Sequence, residues 1–505
     1  MLIEALLAVT FASAFAVLLA PEKYAGRLAA ALSLLPLVGS LYAYATFDAS
    51  GNAVLGGTPA FETTAEWIQA GAYTIDWHVG LDGISLPLVL LTTVLTTLAV
   101  VAAWGDVSER KSLFYALLLF TEASLLGVFS ALDFFVWFVF WEFVLVPMYF
   151  LVSVYGGPRR RYAAIKFFVY TNVASLVLFV GLMALVVATP VTSFEFGAIA
   201  AAVRAGEVGS AFGLAGSTIT AVAFLALFFG FAVKSAFVPF HTWLPDAYTE
   251  APTAVTVLLA GVVTKMGTYS LLRFNVTMFP DLLREWALPL AVVAVVTVLY
   301  GSLAALAQRD AKRLVAYTSI PSMGFVLLGL VATTSYGVAG ATFQMVSHGL
   351  LVSVLFLGVG YVENETGTRM LDKVSGLADR MPVAAAVLVA GAFGYMGLPL
   401  MSGFAGEFFV FTGSFAAGYA NAPLVTAVAM FGIVVVAGYL LRLLQRVLMG
   451  PFEAPESVSA VSRRDLAPAV VLVLLSILLG VAPGTLMGMI QNAAGALVGV
   501  LGGGL

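Results

Sequence analysis

The chain is a succession of long apolar runs separated by short polar ones. Stretches of about 20 apolar residues, the length that crosses ~30 Å of hydrocarbon, occupy 2–20, 28–47, 84–104, 112–131, 134–155, 164–188, 212–240, 252–275, 286–307, 314–333, 336–360, 383–417, 423–447 and 466–488. The pattern predicts an all-α polytopic membrane protein of about 14 transmembrane helices. The longest connections, 48–83, 189–211, 361–382 and 448–465, are too short to bury cores of their own. Segment 194–206, with Phe194, Phe196, Ile199 and Val203 apolar, reads as an interfacial helix or as plain loop. The first run has no basic segment ahead of it and no small-residue cleavage site, so it reads as a retained span rather than a signal peptide.

Two runs are too long and interrupted. Span 7 (212–240) runs into Pro239 and Pro245, and span 12 (383–417) carries Gly397-Leu398-Pro399 near its centre. Proline removes a backbone donor and clashes with the carbonyl four residues back, so both spans are expected to be discontinuous. They are the fourth members of two consecutive blocks of five, spans 4–8 and 9–13. A block of five ends on the opposite side from its start, so the two blocks form inverted repeats, an arrangement that puts an ion path at mid-membrane between broken helices. The expected organisation is 1–111 (spans 1–3 and a long loop), 112–275 (first repeat), 286–447 (second repeat) and 448–505 (last loop and span 14).

Composition narrows the partners. With 61% hydrophobic and 10% charged residues the chain belongs in a bilayer, and its net charge of −4 without a basic tract leaves no place for nucleic acid. Having no cysteine, it carries no disulfide and no thiolate-bound cluster or zinc. Lys and Arg are strongly sided: the loops after spans 1, 3, 5, 9, 11 and 13 hold fifteen, the other side only Arg204 and Arg284. The positive-inside rule therefore puts both termini outside.

Charges inside the apolar runs cost roughly 2.5–3.5 kcal/mol each at the bilayer centre, so they must face one another or water. Lys166, Arg273, Arg442 and Arg446 lie near span ends and are expected to snorkel. Glu122, mid-span, fits a hydrogen-bonded structural carboxyl or a functional one equally; His241, beside the first break, is equally open. Glu142, Lys234, Lys265, His348 and Glu407 are harder to account for structurally and form a candidate polar row. Pro147 is expected to open the helix near Glu142, Lys234 precedes Pro239, and Glu407 follows the Pro399 break. At an effective dielectric of 20, drawing an ion pair from 4 to 8 Å removes roughly 2 kcal/mol, enough to move a proton. The three histidines, His78, His241 and His348, lie on different elements, so no metal site is expected, and there is no P-loop, dinucleotide fingerprint or HExxH.

Several of these segments carry a resemblance. The run Phe140-Trp141-Glu142-Phe143-Val144-Leu145-Val146-Pro147-Met148-Tyr149-Phe150 is similar to the helix-5 signature of the chain M (mitochondrial chain 4) family of respiratory complex I, the proton-pumping NADH:quinone oxidoreductase. Gly80-Leu81-Asp82-Gly83-Ile84-Ser85-Leu86, Lys234 through Pro239, His241, Trp243 and Pro245 to Ala247, Glu250-Ala251-Pro252-Thr253, Lys312 to Ser319, and Gly397 through Pro399 to Glu407 agree with it, so that it covers roughly 80–490. The resemblance implies a proton relay through Glu142, Lys234, Lys265, His348 and Glu407, with His241, Glu122, Ser322, Pro239 and Pro399 in support. It implies Glu142 facing a neighbouring antiporter-like chain and Glu407 connecting to the outer side. It also implies no cofactor on this chain, with quinone, iron–sulfur clusters and the donor cofactor on partner subunits. Sister chains usually carry lysine on helix 12, so Glu407 points to chain M. One departure stands out: where the family has Ser-His-Met-Gly, this chain has Pro321-Ser322-Met323-Gly324, and a serine relays through water but holds no charge.

The same fold serves cation/proton antiporters and membrane-bound hydrogenases. An Na⁺(K⁺)/H⁺ antiporter subunit and a static membrane scaffold are the alternatives. Glu407 speaks against the first and the two matched breaks against the second.

Overall fold

The computed structural model describes residues 1–455 and 458–501. Among them, thirteen helices are long and apolar enough to cross a membrane, and the discontinuous segment 382–415 adds one more crossing. The helices begin with α1 (Leu2–Leu19), α2 (Glu22–Ala45), α3 (Ser85–Ala102), α4 (Lys111–Ser130), α5 (Phe134–Tyr155), α6 (Arg160–Val187) and the short α7 (Phe196–Arg204). Span 7 is α8 (Gly216–Lys234) followed, after a break, by α9 (Trp243–Glu250). Span 8 is α10 (Thr253–Leu258) and α11 (Thr264–Leu271), each followed by a π turn, Leu259–Val263 and Leu272–Val276. Then come α12 (Pro280–Glu285), α13 (Ala287–Leu306), α14 (Ala311–Val331) and α15 (Ser335–Thr366), the broken pair α16 (Pro382–Tyr395) and α17 (Ser402–Phe415), and α18 (Ala422–Leu448), α19 (Arg463–Val481) and α20 (Gly484–Leu501).

Four details differ from the sequence reading. The 48–83 loop holds an antiparallel hairpin, β1 (Ala60–Ala70) and β2 (Tyr73–Leu81), turned at Gly71 with φ +66°. β-Branched and aromatic residues flank this glycine, which accepts a positive φ without Cβ strain. The run read as 466–488 ends at Val481, and Pro483 separates it from α20, which packs under the hairpin-side loops: a Cβ on Gly83 would lie 1.9 Å from the Met489 carbonyl oxygen. Pro147 sits inside an unbroken α5, because one lost donor in a 22-residue helix packed on its neighbours does not end it. Segment 194–206 resolves as a helix, α7.

The basic loops meet on one face. Arg369 bonds Asp310 at 2.5 Å and approaches Glu250 and Glu363, Lys312 lies 3.9 Å from Glu363, and Asn364 donates to Asp106. The hairpin covers the other face, where Met1 donates to Thr63 and β2 bridges to Ala131 and, through Thr74, to Ser193. Block 4–8 starts on the basic face at Lys111 and block 9–13 on the hairpin face at Ala287, so the two run in opposite senses. The apolar windows of span 8 and α15 are wholly buried at the centre, whereas α6, α13 and α18 expose Val173, Leu176, Val296, Leu424 and Val434 as a bilayer-facing belt.

Candidate functional site

The first break is built around Lys234. α8 stops there, Ala236 turns with φ +56°, and α9 resumes at Trp243, whose indole donates to the Val233 carbonyl over 2.8 Å and so satisfies a helix end left open. α11 presses on this break at Gly267, where a Cβ would stand 2.3 Å from Ser235 Oγ. Lys234 is 1% exposed and its Nζ has no hydrogen-bond partner; it rests over the rings of Trp141 (5.1 Å) and Phe167 (5.8 Å). The Trp141 indole is fixed by donating to Ser175 Oγ over 2.9 Å. Glu142 follows it in the chain, half-buried on a face of α5 whose neighbours Phe143, Val146 and Phe150 are exposed, and its Oε1 is unpartnered. Glu142 and Lys234 are therefore close in the fold with no direct bond between them.

Lys265 sits two residues beyond the first π turn. The turn leaves Leu259 and Ala260 carbonyls out of the regular ladder; Tyr248 and Thr264 hydroxyls donate to the first over 2.9 Å each, and Lys265 Nζ donates to the second. The same Nζ lies 2.5 Å from His348 Nδ1. One hydrogen bond joins the two nitrogens, and Nε2 on the other side of the ring has no partner. The His348 ring meets Tyr395 edge to face with centroids 5.6 Å apart. Tyr395 commits its proton to the Thr318 carbonyl, so Ser322 Oγ, 2.8 Å away, donates to the phenol oxygen.

Tyr395 closes α16 at the second break. Gly397 and Leu400 both turn with φ +74°, and Glu407, 7% exposed on α17, folds back so that a Cβ on Gly397 would come 2.5 Å from its Oε2. Ser402 anchors the start of α17 to α15 and α19 through Ser347 (2.9 Å) and Ser476 (2.8 Å). Pro239 and Pro399 both lie within their breaks.

The structure thus brings Lys265, His348, Tyr395 and Ser322 into one connected group, with Lys234 and Glu142 on one flank and Glu407 on the other. Glu122 stands outside this group, fully buried with neither oxygen bonded. His241 lies in the first break, its ring edge against Tyr300 and its Nδ1 unpartnered. Two expected snorkelling residues do not snorkel. Lys166 pairs with Asp246 over 2.8 Å, which Arg313 also holds. Arg273 is 1% exposed and grips Asp82 through both terminal nitrogens, at 2.7 and 2.5 Å, because the loop before α3 carries the carboxylate inward to it. Burial alone would raise Asp82, but the adjacent guanidinium outweighs it and keeps the carboxyl below its usual range. Sequence reasoning missed Tyr395 and Tyr248, which read as ordinary aromatic residues of a span.

Comparison with known proteins adds the lineage. The family model described as NADH:quinone oxidoreductase/Mrp antiporter, TM, matches residues 131–434. Subunit M of the F(420)H(2) dehydrogenase of Methanosarcina mazei is 36% identical over 478 residues, 93% of this chain and 92% of that one. An NAD(P)H-quinone oxidoreductase chain 4 of a Synechococcus species is 43% identical over 74% of this chain and 69% of its own length. Among solved structures, a chain of the Thermus thermophilus respiratory complex I with bound NADH superposes over 100% of both chains with a TM-score of 0.87 at 27% identity. On these matches, and on the paired helix breaks flanking a buried lysine and histidine, the chain belongs to the NADH:quinone oxidoreductase/Mrp antiporter transmembrane family.

Proposed function

We propose that the chain is the proton-translocating, antiporter-like subunit of a complex I-type quinone oxidoreductase, with no redox chemistry of its own. Quinone, iron–sulfur clusters and the donor's cofactor belong on partner subunits, and the donor is NADH or a reduced deazaflavin, as in the two kinds of relative. Glu142 faces a neighbouring antiporter-like chain, and the basic face is cytoplasmic. The observation that carries this reading is the 2.5 Å contact of Lys265 with His348 between two broken helices. A proton exchanged between Lys265 and His348 Nδ1 has an exit on the far side of the ring at Nε2, which has no partner. Charge arriving at Glu142 attracts the Lys234 ammonium away from the indole face, and closing that pair from 8 to 4 Å is worth roughly 2 kcal/mol. Release proceeds past Tyr395 and Ser322 toward Glu407.

Glu142→Gln or Lys234→Ala is expected to abolish proton pumping and coupled turnover while the complex still assembles, as measured by dye quenching in vesicles and a native gel. Full pumping in both variants overturns the relay. The antiporter reading stays in view because the family description includes Mrp and a buried Glu407 carboxylate suits Na⁺ as well as H⁺. Mass spectrometry of the native complex decides: iron–sulfur chains support the redox-driven reading, and small antiporter chains alone overturn it.

A further inference from the structure

At the basic face, the starts of α2, α4 and α19 surround a recess of about 150 Å³, room for about five waters. Lys23, Arg27, Lys111 and Arg464 line it, with Trp104 and Tyr115 as its walls and Glu22 as the one acid. The walls are built. Trp104 Nε1 donates to the Gly26 carbonyl over 3.0 Å, and the packing at Gly26 is close, a Cβ there lying 3.1 Å from Tyr115 and 3.2 Å from Trp104. Ser112 donates to the Ala20 carbonyl, locking the α1–α2 turn to α4. Arg464 lies 5.9 Å from the Trp104 ring centroid and pairs with its neighbour Asp465, whereas Lys23, Arg27 and Lys111 have no carboxylate within 4 Å among the described residues. Against these four cations stand only Glu22 and, beside Arg464, Asp465, so the recess keeps a net positive charge that attracts a further anion. Three helix N-termini also turn their positive ends here.

The setting selects the anion. The recess stands at the end of three transmembrane helices, where Tyr24 is exposed and Trp104 half-exposed, the level of a headgroup rather than of bulk water. Below it α2 and α19 expose Leu34, Leu35, Val38, Val471 and Leu474 to the bilayer, apolar surface of the kind acyl chains cover. We propose that this recess binds the phosphodiester headgroup of an anionic phospholipid in the leaflet on the basic face. Basic recesses between membrane helices bind such headgroups through additive attraction of each cation.

The test uses the intact complex in nanodiscs of phosphatidylglycerol or phosphatidylcholine, reading lipids retained on this subunit by native mass spectrometry. Phosphatidylglycerol is expected to be retained in preference. The double variant Lys23→Gln, Arg27→Gln should weaken its retention about 25-fold, at about fivefold per cation, with phosphatidylcholine unchanged. Arg463→Gln, a cation outside the recess, should leave retention as it was, and Arg27→Lys should keep most of it. If the double variant fails to assemble, Arg27→Gln alone should still show about a fivefold loss. Equal retention of both lipids, or wild-type retention in the variants, overturns the proposal. Release of the lipid by excess inorganic phosphate would make this a site for free phosphate and overturns the lipid assignment.

Discussion

Tyr395 stands beside Ser322, the position where the resemblance implies a histidine. Its hydroxyl joins Ser322 to the Thr318 carbonyl while its ring edge meets His348. Tyr395→Phe leaves both partners unpaired, a cost of about 1–3 kcal/mol, and is expected to slow pumping at least tenfold with the complex assembled. Ser322→His, which restores the missing ring, should retain coupled pumping; complete loss in both assays would show that no shared path runs there. Glu142, Lys234, Lys265, His348 and Glu407 were legible as candidates because a charge in an apolar run is costly and each of them broke the pattern. Tyr395 did not break it, since a tyrosine in a span reads as aromatic packing. Arg273 was legible as a charge but not as a pair, since Asp82 lies 191 residues away. Asp82→Asn should cost about 3–5 kcal/mol by stranding the arginine, and the joint change Asp82→Asn, Arg273→Met, which keeps an acceptor for the Ala53, Ile84 and Ser85 N–H groups, should recover most of it. Denaturation of the purified complex, followed by subunit loss, measures both.

At the scale of elements, glycine and proline marked the two breaks correctly, because they alter the backbone itself. The π turns around Lys265 were not legible: Gly261 within Leu259–Val263 is a single glycine in an apolar run, and it is Tyr248 and Thr264, outside the turn, that satisfy the displaced carbonyl. The hairpin was hidden for a different reason, lying in a stretch too polar for a span and read only as a connection too short to bury a core. It is held by His78, whose Nε2 bonds Glu62 (2.9 Å) and whose Nδ1 meets Glu195 (3.0 Å). Burial lowers this imidazole, but the two carboxylates outweigh it and raise it above its ordinary value. The staple's contribution is then complete below pH ~6.5 and is lost as pH rises through the raised folded value. Hydrogen-exchange protection over 60–81, taken relative to the intrinsic exchange rate at each pH, should fall across that rise, and in His78→Gln it should be low at every pH.

At the scale of the whole molecule, the absence of cysteine makes sidedness easy to read. A single cysteine at Gln69, exposed on the hairpin face, should react with an impermeant maleimide in intact cells, and one at Arg161, exposed on the basic face, only after permeabilisation. The opposite pattern reverses the direction of the pump. Within that frame α15 has a particular standing. Its 32 residues extend about 48 Å, well beyond ~30 Å of hydrocarbon, and its apolar window is buried on every side. A post so enclosed, packed against helices of both repeats, has little room to tilt or slide. Movement during a cycle is therefore expected at the two gaps in the broken helices, with α15 and the His348 it carries as the fixed reference against which that movement is measured.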